Sequence, residues 1–220
     1  MKIKEKWQQW KEFSKMSDLG IIARRKFFNN AFDGALTCAG IISGIFIIFL
    51  AEPFTFESQD VLITGFATAL AIGISGLWGA FLSEEAERKK KVLEMKRDMA
   101  EVEEEPEIIE LKHIKKNYMK GNKKKPRTIL EKAEKFATIV ASLVDGAAPV
   151  LGSSLPLIPF FFGGSLTILH FIFSYLILAG LLIYLGIFLG QISGGGRLRY
   201  ALHLITAGIV TLIISILLGI

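Results

Sequence analysis

Two aspartates stand where the surrounding sequence is apolar. Asp33 lies in Phe32-Asp33-Gly34-Ala35 and Asp145 in Val144-Asp145-Gly146-Ala147. An ionised carboxylate within a membrane span costs several kcal/mol unless it is paired, protonated or facing water, so a chain that keeps two is using them. Their chemistry would be to hold or pass a cation. At ~100° per residue, Asp33, Thr37, Gly40 and Gly44 share one helix face. That face is polar and narrow, and its Gly-x-x-x-Gly spacing admits another helix. Asp145 is followed by Pro149, Gly152, Pro156 and Pro159. Prolines free backbone carbonyls, which is tolerable where a helix lines a cavity; kinking and close packing are the plainer alternative. The repeated Asp-Gly signature suggests two related halves, as is common in transporters, although a match this short also arises by chance.

A second set of acids follows the second apolar run. Beyond Glu84, the residues Glu87, Glu94, Asp98, Glu101 and Glu105 fall in a sector about 60° wide on a continuing helix. Val92, Met95, Met99 and Val102 occupy the neighbouring face. Pro106 stops this helix. On the next one, Glu107, Glu110 and His113 share a face, and Glu-x-x-His recurs in di-iron helical bundles. Glu131 and Glu134 belong to a third helix that runs into the following apolar stretch. Carboxylates converging from several helices suit ferrous iron, manganese or zinc. The alternative is a solvated, salt-bridged hairpin, since Arg88–Lys91 and Lys96–Arg97 interleave with the acids. The residues alone leave both open.

These groups need elements to position them. The 220 residues are 51% hydrophobic and 21% charged, with the charge concentrated between apolar runs. A membrane helix takes about 20 apolar residues. Five stretches qualify: 31–51, 61–83, 136–162, 165–191 and 198–220. The expected fold is all-α, a polytopic membrane protein with five transmembrane helices and a three-helix cytoplasmic insert. Its parts are an N-terminal segment (1–30), spans one and two (31–83), the insert (84–135) and spans three to five (136–220). The N-terminal segment carries eight Lys and Arg, the insert sixteen and the fourth connection two, which accounts for all 26. By the positive-inside rule, the N-terminus is cytoplasmic and the C-terminus outside. The net charge of +5 is thus a matter of topology rather than of nucleic acid. The outer connection holds Glu52, Glu57 and Asp60, read as a solvated loop. Trp7, Trp10 and Phe13 recur at helical spacing among lysines, which suits a helix on the inner membrane surface or one packed on the insert. The single cysteine, Cys38, excludes a disulfide framework and reads as a small buried hydrophobe. His170 and His203 read as satisfied interhelical histidines. No signal segment is read at the N-terminus, which points to a prokaryotic cell membrane.

The chain resembles the vacuolar iron transporter and yeast Ca²⁺-sensitivity-complementer family of divalent metal transporters. The matching pieces are Asp33-Gly34-Ala35-Leu36-Thr37, Gly79-Ala80-Phe81-Leu82-Ser83, Glu105-Pro106-Glu107 through Glu110-Leu111 to Tyr118 and Gly121, and Leu151-Gly152-Ser153-Ser154-Leu155-Pro156 through Phe160. The final span, Leu198-Arg199 through Gly219, matches as well. The resemblance implies a homodimer with its ion path near the two-fold axis, insert glutamates that gather metal, and proton-coupled export of ferrous iron. It places Asp33 at the family's span-one aspartate and Glu101, Glu104, Glu107 and Glu110 among the insert glutamates. Where the family has a methionine and a glutamate in span two, this chain has Gly76 and Ala80, with Glu84 one turn below. Asp145 stands where the family has an apolar residue.

The expected function is export of Fe²⁺ or Mn²⁺, with proton antiport. The pathway residues would be Asp33, Thr37, Asp145 and Glu84. The metal-gathering residues would be Glu87, Glu94, Glu101, Glu104, Glu107, Glu110, Glu131 and Glu134. The expected partners are the lipid bilayer, divalent metals and a second copy of the chain, with no nucleic acid and no tightly bound cofactor. A non-transporting metal sensor or scaffold is the alternative. An enzyme is not expected: a lipid-headgroup phosphotransferase needs Asp-Gly-x-x-Ala-Arg and further aspartates on the next helix. No arginine follows Asp33 in its span, and span two has no aspartate after Asp60.

Overall fold

The structure is a computed structural model describing residues 2–53, 55–102 and 129–218. Helix α1 spans Lys2–Met16, α2 Leu19–Ala51 and α3 Ser58–Val102. Helix α4 spans Ile129–Ser154 and passes into a 3₁₀ segment, Leu155–Phe161. Helices α5, Ile168–Ser193, and α6, Arg197–Leu218, complete the chain. Among the described residues there is no strand; an isolated bridge joins Glu57 to Ser165. Helices α2 to α6 are long and apolar enough to cross a membrane, as the five apolar runs require. The chain is an integral membrane protein.

Helix boundaries extend past the apolar runs where nothing interrupts the backbone. Helix α2 starts at Leu19 rather than near Ala31. The break before it is Asp18, whose left-handed φ of 48° separates it from α1. Helix α3 runs without interruption from the apolar run into the charged region. The first and third helices of the expected insert are thus continuations of α3 and α4. The second, with Glu104, Glu107, Glu110 and His113, lies outside the described residues.

Helix α4 packs along both α2 and α3, and small residues set the spacing. A Cβ on Gly34 would collide with the backbone of Pro149, and one on Gly152 with the backbone of Ala31. On the other side, a Cβ on Gly146 would lie 2.7 Å from the Gly73 carbonyl oxygen. Both Asp-Gly pairs therefore supply a glycine at a close helix crossing. Phe28, Ala31, Ala35, Ala148, Leu182 and Leu185 bury one half of the bundle. Ile42, Phe49, Val61, Leu157, Phe160 and Phe171 bury the other. Outward lie large apolar side chains such as Ile63, Leu70, Ile74 and Trp78 on α3, as a lipid-facing surface requires.

The prolines have local consequences. Pro149 carries no N–H to return to the carbonyl of Asp145, four residues before it. In the 3₁₀ segment Pro159 likewise cannot serve Pro156, and the Ser174 hydroxyl of α5 donates to that carbonyl instead, at 2.6 Å. At the start of α5 the Thr167 backbone N–H donates to His170 Nδ1 at 3.1 Å. Nε2 therefore carries the proton and donates to the Phe162 carbonyl at 2.5 Å. His170 is thus satisfied, as expected, but through the 162–167 connection, whose two ends it ties together, rather than between two helices. His203 departs from expectation: it is exposed on α6, because that helix turns this face away from its neighbours.

Helix α1 rests on the start of α4. Trp10 stacks on Phe136 with ring centroids 5.9 Å apart, and Phe13 lies 6.1 Å from the same ring. Trp7 and Trp10 remain largely exposed, so the aromatic stripe meets α4 and still presents apolar surface.

Candidate functional site

Lys26 is where three helices meet. It is the last residue of the basic N-terminal run, carried two turns into α2 by the early start of that helix. Its ammonium donates to Asp145 Oδ2 of α4 at 2.5 Å. One turn later on α2, Asn30 Nδ2 donates to Asp145 Oδ1 at 2.7 Å. Asp145 is 7% exposed, and both its oxygens are satisfied. This is what a buried carboxylate needs, since an uncompensated one would be strongly destabilising. Asp145 is therefore a paired aspartate. Glu84 Oε1 of α3 lies 3.6 Å from the same ammonium. One positive charge thus sits between two negative ones, and the cluster carries a net negative charge.

Close packing surrounds it. A Cβ on Gly76 of α3 would lie 2.8 Å from the Asp145 carbonyl oxygen, the carbonyl that Pro149 cannot serve. The methionine that the resemblance would put here has no room: the side-chain space is taken by the α4 backbone.

A cavity of about 300 Å³ opens beside Glu84. Its lining includes Asp18, Glu84, Glu87, Arg88, Glu134 and Ala141, and Ala141 lies one turn before Asp145 on α4. A water needs about 10–15 Å³ of such space, so the cavity has room for a hydrated ion. Four carboxylates against one guanidinium make it electronegative. Among the described residues, no three His, Cys, Asp or Glu side chains converge to hold a metal ion. A cation in this vestibule would therefore keep much of its water.

The other candidate residues are distributed differently. Asp33 is exposed on the outer face of α2, and Thr37, whose hydroxyl donates to the Asp33 carbonyl at 2.9 Å, lies half-buried beside it. Gly40, on the same face, has open space where a side chain would go. The two aspartates thus do not face a common cavity in this chain. Glu94 is exposed and 3.7 Å from Lys90, while Glu85 is 3.0 Å from Lys89, both at i,i+4 spacing. This stretch of α3 is a solvated, salt-bridged face. Glu101 and Glu131 belong to α3 and α4, but their side chains lie outside the described residues, as do Glu104, Glu107 and Glu110 entirely. Lys26 and Asn30 were not anticipated. The available signal was a lysine and an asparagine pair at the edge of an apolar run that begins well inside a helix.

The model of the VIT family matches residues 25–138, half of the chain and more. The chain belongs to the VIT family. This is the vacuolar iron transporter family, whose members are generally metal transporters. The matched segment contains Lys26, Asn30, Asp33 and Glu84 and stops short of Asp145. The VIT-family chain is also 26% identical over 162 residues to an uncharacterized protein of Methanocaldococcus jannaschii, covering 73% of this chain and 70% of that one.

Proposed function

We propose that this VIT-family chain exports a divalent cation, Fe²⁺ or Mn²⁺, from the cytosol across a prokaryotic cell membrane, in exchange for protons. The observation that carries the reading is the acidic vestibule of Asp18, Glu84, Glu87 and Glu134, joined through Glu84 to the Lys26–Asp145 pair. The N-terminus and the charged insert face the cytosol in this scheme. Insert glutamates, Glu101, Glu104, Glu107 and Glu110, raise the local cation concentration, with Glu94 and Glu131 flanking them. The vestibule receives a hydrated ion, and the carboxylates at its base strip part of its water. A second copy of the chain covers the open Asp33–Thr37–Gly40 face and completes the path.

The test is Mn²⁺ flux into proteoliposomes loaded with a metal-sensitive dye, with and without a proton gradient. Wild-type protein should exceed protein-free vesicles, and Glu84→Gln combined with Glu134→Gln should lower the rate about tenfold. Wild-type flux equal to that of empty vesicles overturns the reading. The close packing of Gly76 on α4 favours one other reading, a metal sensor that binds without transport. Calorimetric binding in the absence of flux would select it.

A further inference from the structure

We infer that Lys26 is a built-in competitor for the cation. Its ammonium occupies the place between Asp145 and Glu84 that a divalent ion would take, and the ion enters only as the ammonium leaves. The inference deepens the transport reading and rests on the cluster lying on the ion's path.

The geometry supports it in three ways. First, the ammonium sits 2.5 Å from Asp145 Oδ2 and 3.6 Å from Glu84 Oε1, so it already occupies a two-carboxylate position. A divalent ion there would turn the cluster's negative charge to neutral, whereas the monovalent ammonium leaves one charge uncompensated. Second, the partners differ in freedom. The Asp145 side chain is 10% exposed and is held from the other side by Asn30, while the Lys26 side chain is 20% exposed on a flexible four-carbon stem. Withdrawal of the ammonium would leave Asn30 on Oδ1 and free Oδ2, with Glu84, which lines the vestibule, as the neighbouring carboxylate. Third, the same ammonium links α2 to both α3 and α4. Its departure removes the tie between α2 and α3, while Asn30 still holds α2 to α4, so cation entry is coupled to release of α3 from α2 at this end. Arginine would be a poor replacement, because its rigid fork grips carboxylates in two places.

The first experiment measures Mn²⁺ binding to the purified full-length chain by electron paramagnetic resonance. Lys26→Gln should gain one Mn²⁺ bound at least tenfold more tightly than the same site in wild type, and Lys26→Gln with Asp145→Asn should lose that gain. Mn²⁺ should also raise the unfolding temperature of Lys26→Gln more than that of the double variant, because a ligand stabilises the state it binds. The second experiment needs no variant. Labelling of Lys26 in the wild-type chain by an amine-reactive reagent, read by mass spectrometry, should rise several-fold in saturating Mn²⁺. An unchanged Mn²⁺ affinity in a folded Lys26→Gln, or labelling indifferent to Mn²⁺, overturns the inference. The transport reading fails separately. Absent wild-type flux with the Asp145-dependent gain intact removes transport and leaves the competitor in place; flux without the gain does the reverse.

Discussion

Replacing Gly34 by alanine tests whether the α2–α4 crossing is as tight as its backbone geometry requires. The added methyl would meet the carbonyl oxygen, Cα and carbonyl carbon of Pro149, while Gly152 of α4 presses on the backbone of Ala31 about one turn away. Backbone stands on both sides, so no side chain can swing aside. Overpacking of this kind costs about 1–3 kcal/mol, and backbone-on-backbone contact argues for the upper end. Alanine returns about 1 kcal/mol of helix propensity. The net loss is about 2 kcal/mol, or about 4–8 °C in unfolding temperature for a chain of this size. Gly180 of α5 is the control: nothing lies within 4 Å of its would-be Cβ, so Gly180→Ala should leave the transition unchanged or raise it slightly. The assay is heating of detergent-purified protein followed by size-exclusion of the surviving fraction. A Gly34→Ala protein as stable as wild type would refute the close crossing and the packing role assigned to the Asp-Gly pairs.

Two further outcomes follow from hydrogen bonds inside the bundle. Ser43 donates to the Ala39 carbonyl at 2.7 Å and lies 3.0 Å from the Tyr175 hydroxyl, so the tyrosine is the donor between them. Tyr175→Phe should cost about 1 kcal/mol, and a cycle with Ser43→Ala in chemical denaturation should return a coupling of about 0.5–1.5 kcal/mol. His170→Ala should remove both ties across the 162–167 connection and speed amide exchange at Thr167 about tenfold, read by hydrogen–deuterium exchange, while the centre of α2 exchanges as before.

The sequence makes the spans legible because membrane crossing leaves a long, local signal: about 20 apolar residues in a row. The continuation of α3 beyond Ser83 is legible for the same reason, since no proline or glycine interrupts it before Pro106. The Lys26–Asp145 pair is not legible, because its partners are 119 residues apart and no periodicity reports which helices become neighbours. Asp145 could be recognised as needing a partner, but not assigned one. Asp33 shows the same limit: it lies on an outer face, a direction set by how α2 packs rather than by its own neighbours in sequence. His203 shows the limit again, being as apolar in its surroundings as His170 yet exposed, because α6 is covered on one side. The repeated Asp-Gly pair was visible, but its packing role emerged only from the Pro149 and Gly73 contacts.

Helix α3 is one unbroken rod of 45 residues. At 1.5 Å per residue it is about 68 Å long, and the part beyond Ser83 reaches about 29 Å. If the helix turns about 10° at the Glu84 junction, the tip moves about 5 Å, by the same rise per residue. The rod is a lever arm whose fulcrum lies beside Lys26. Carried on one continuous backbone, a load gathered at the far end would return as torque on the ion pair.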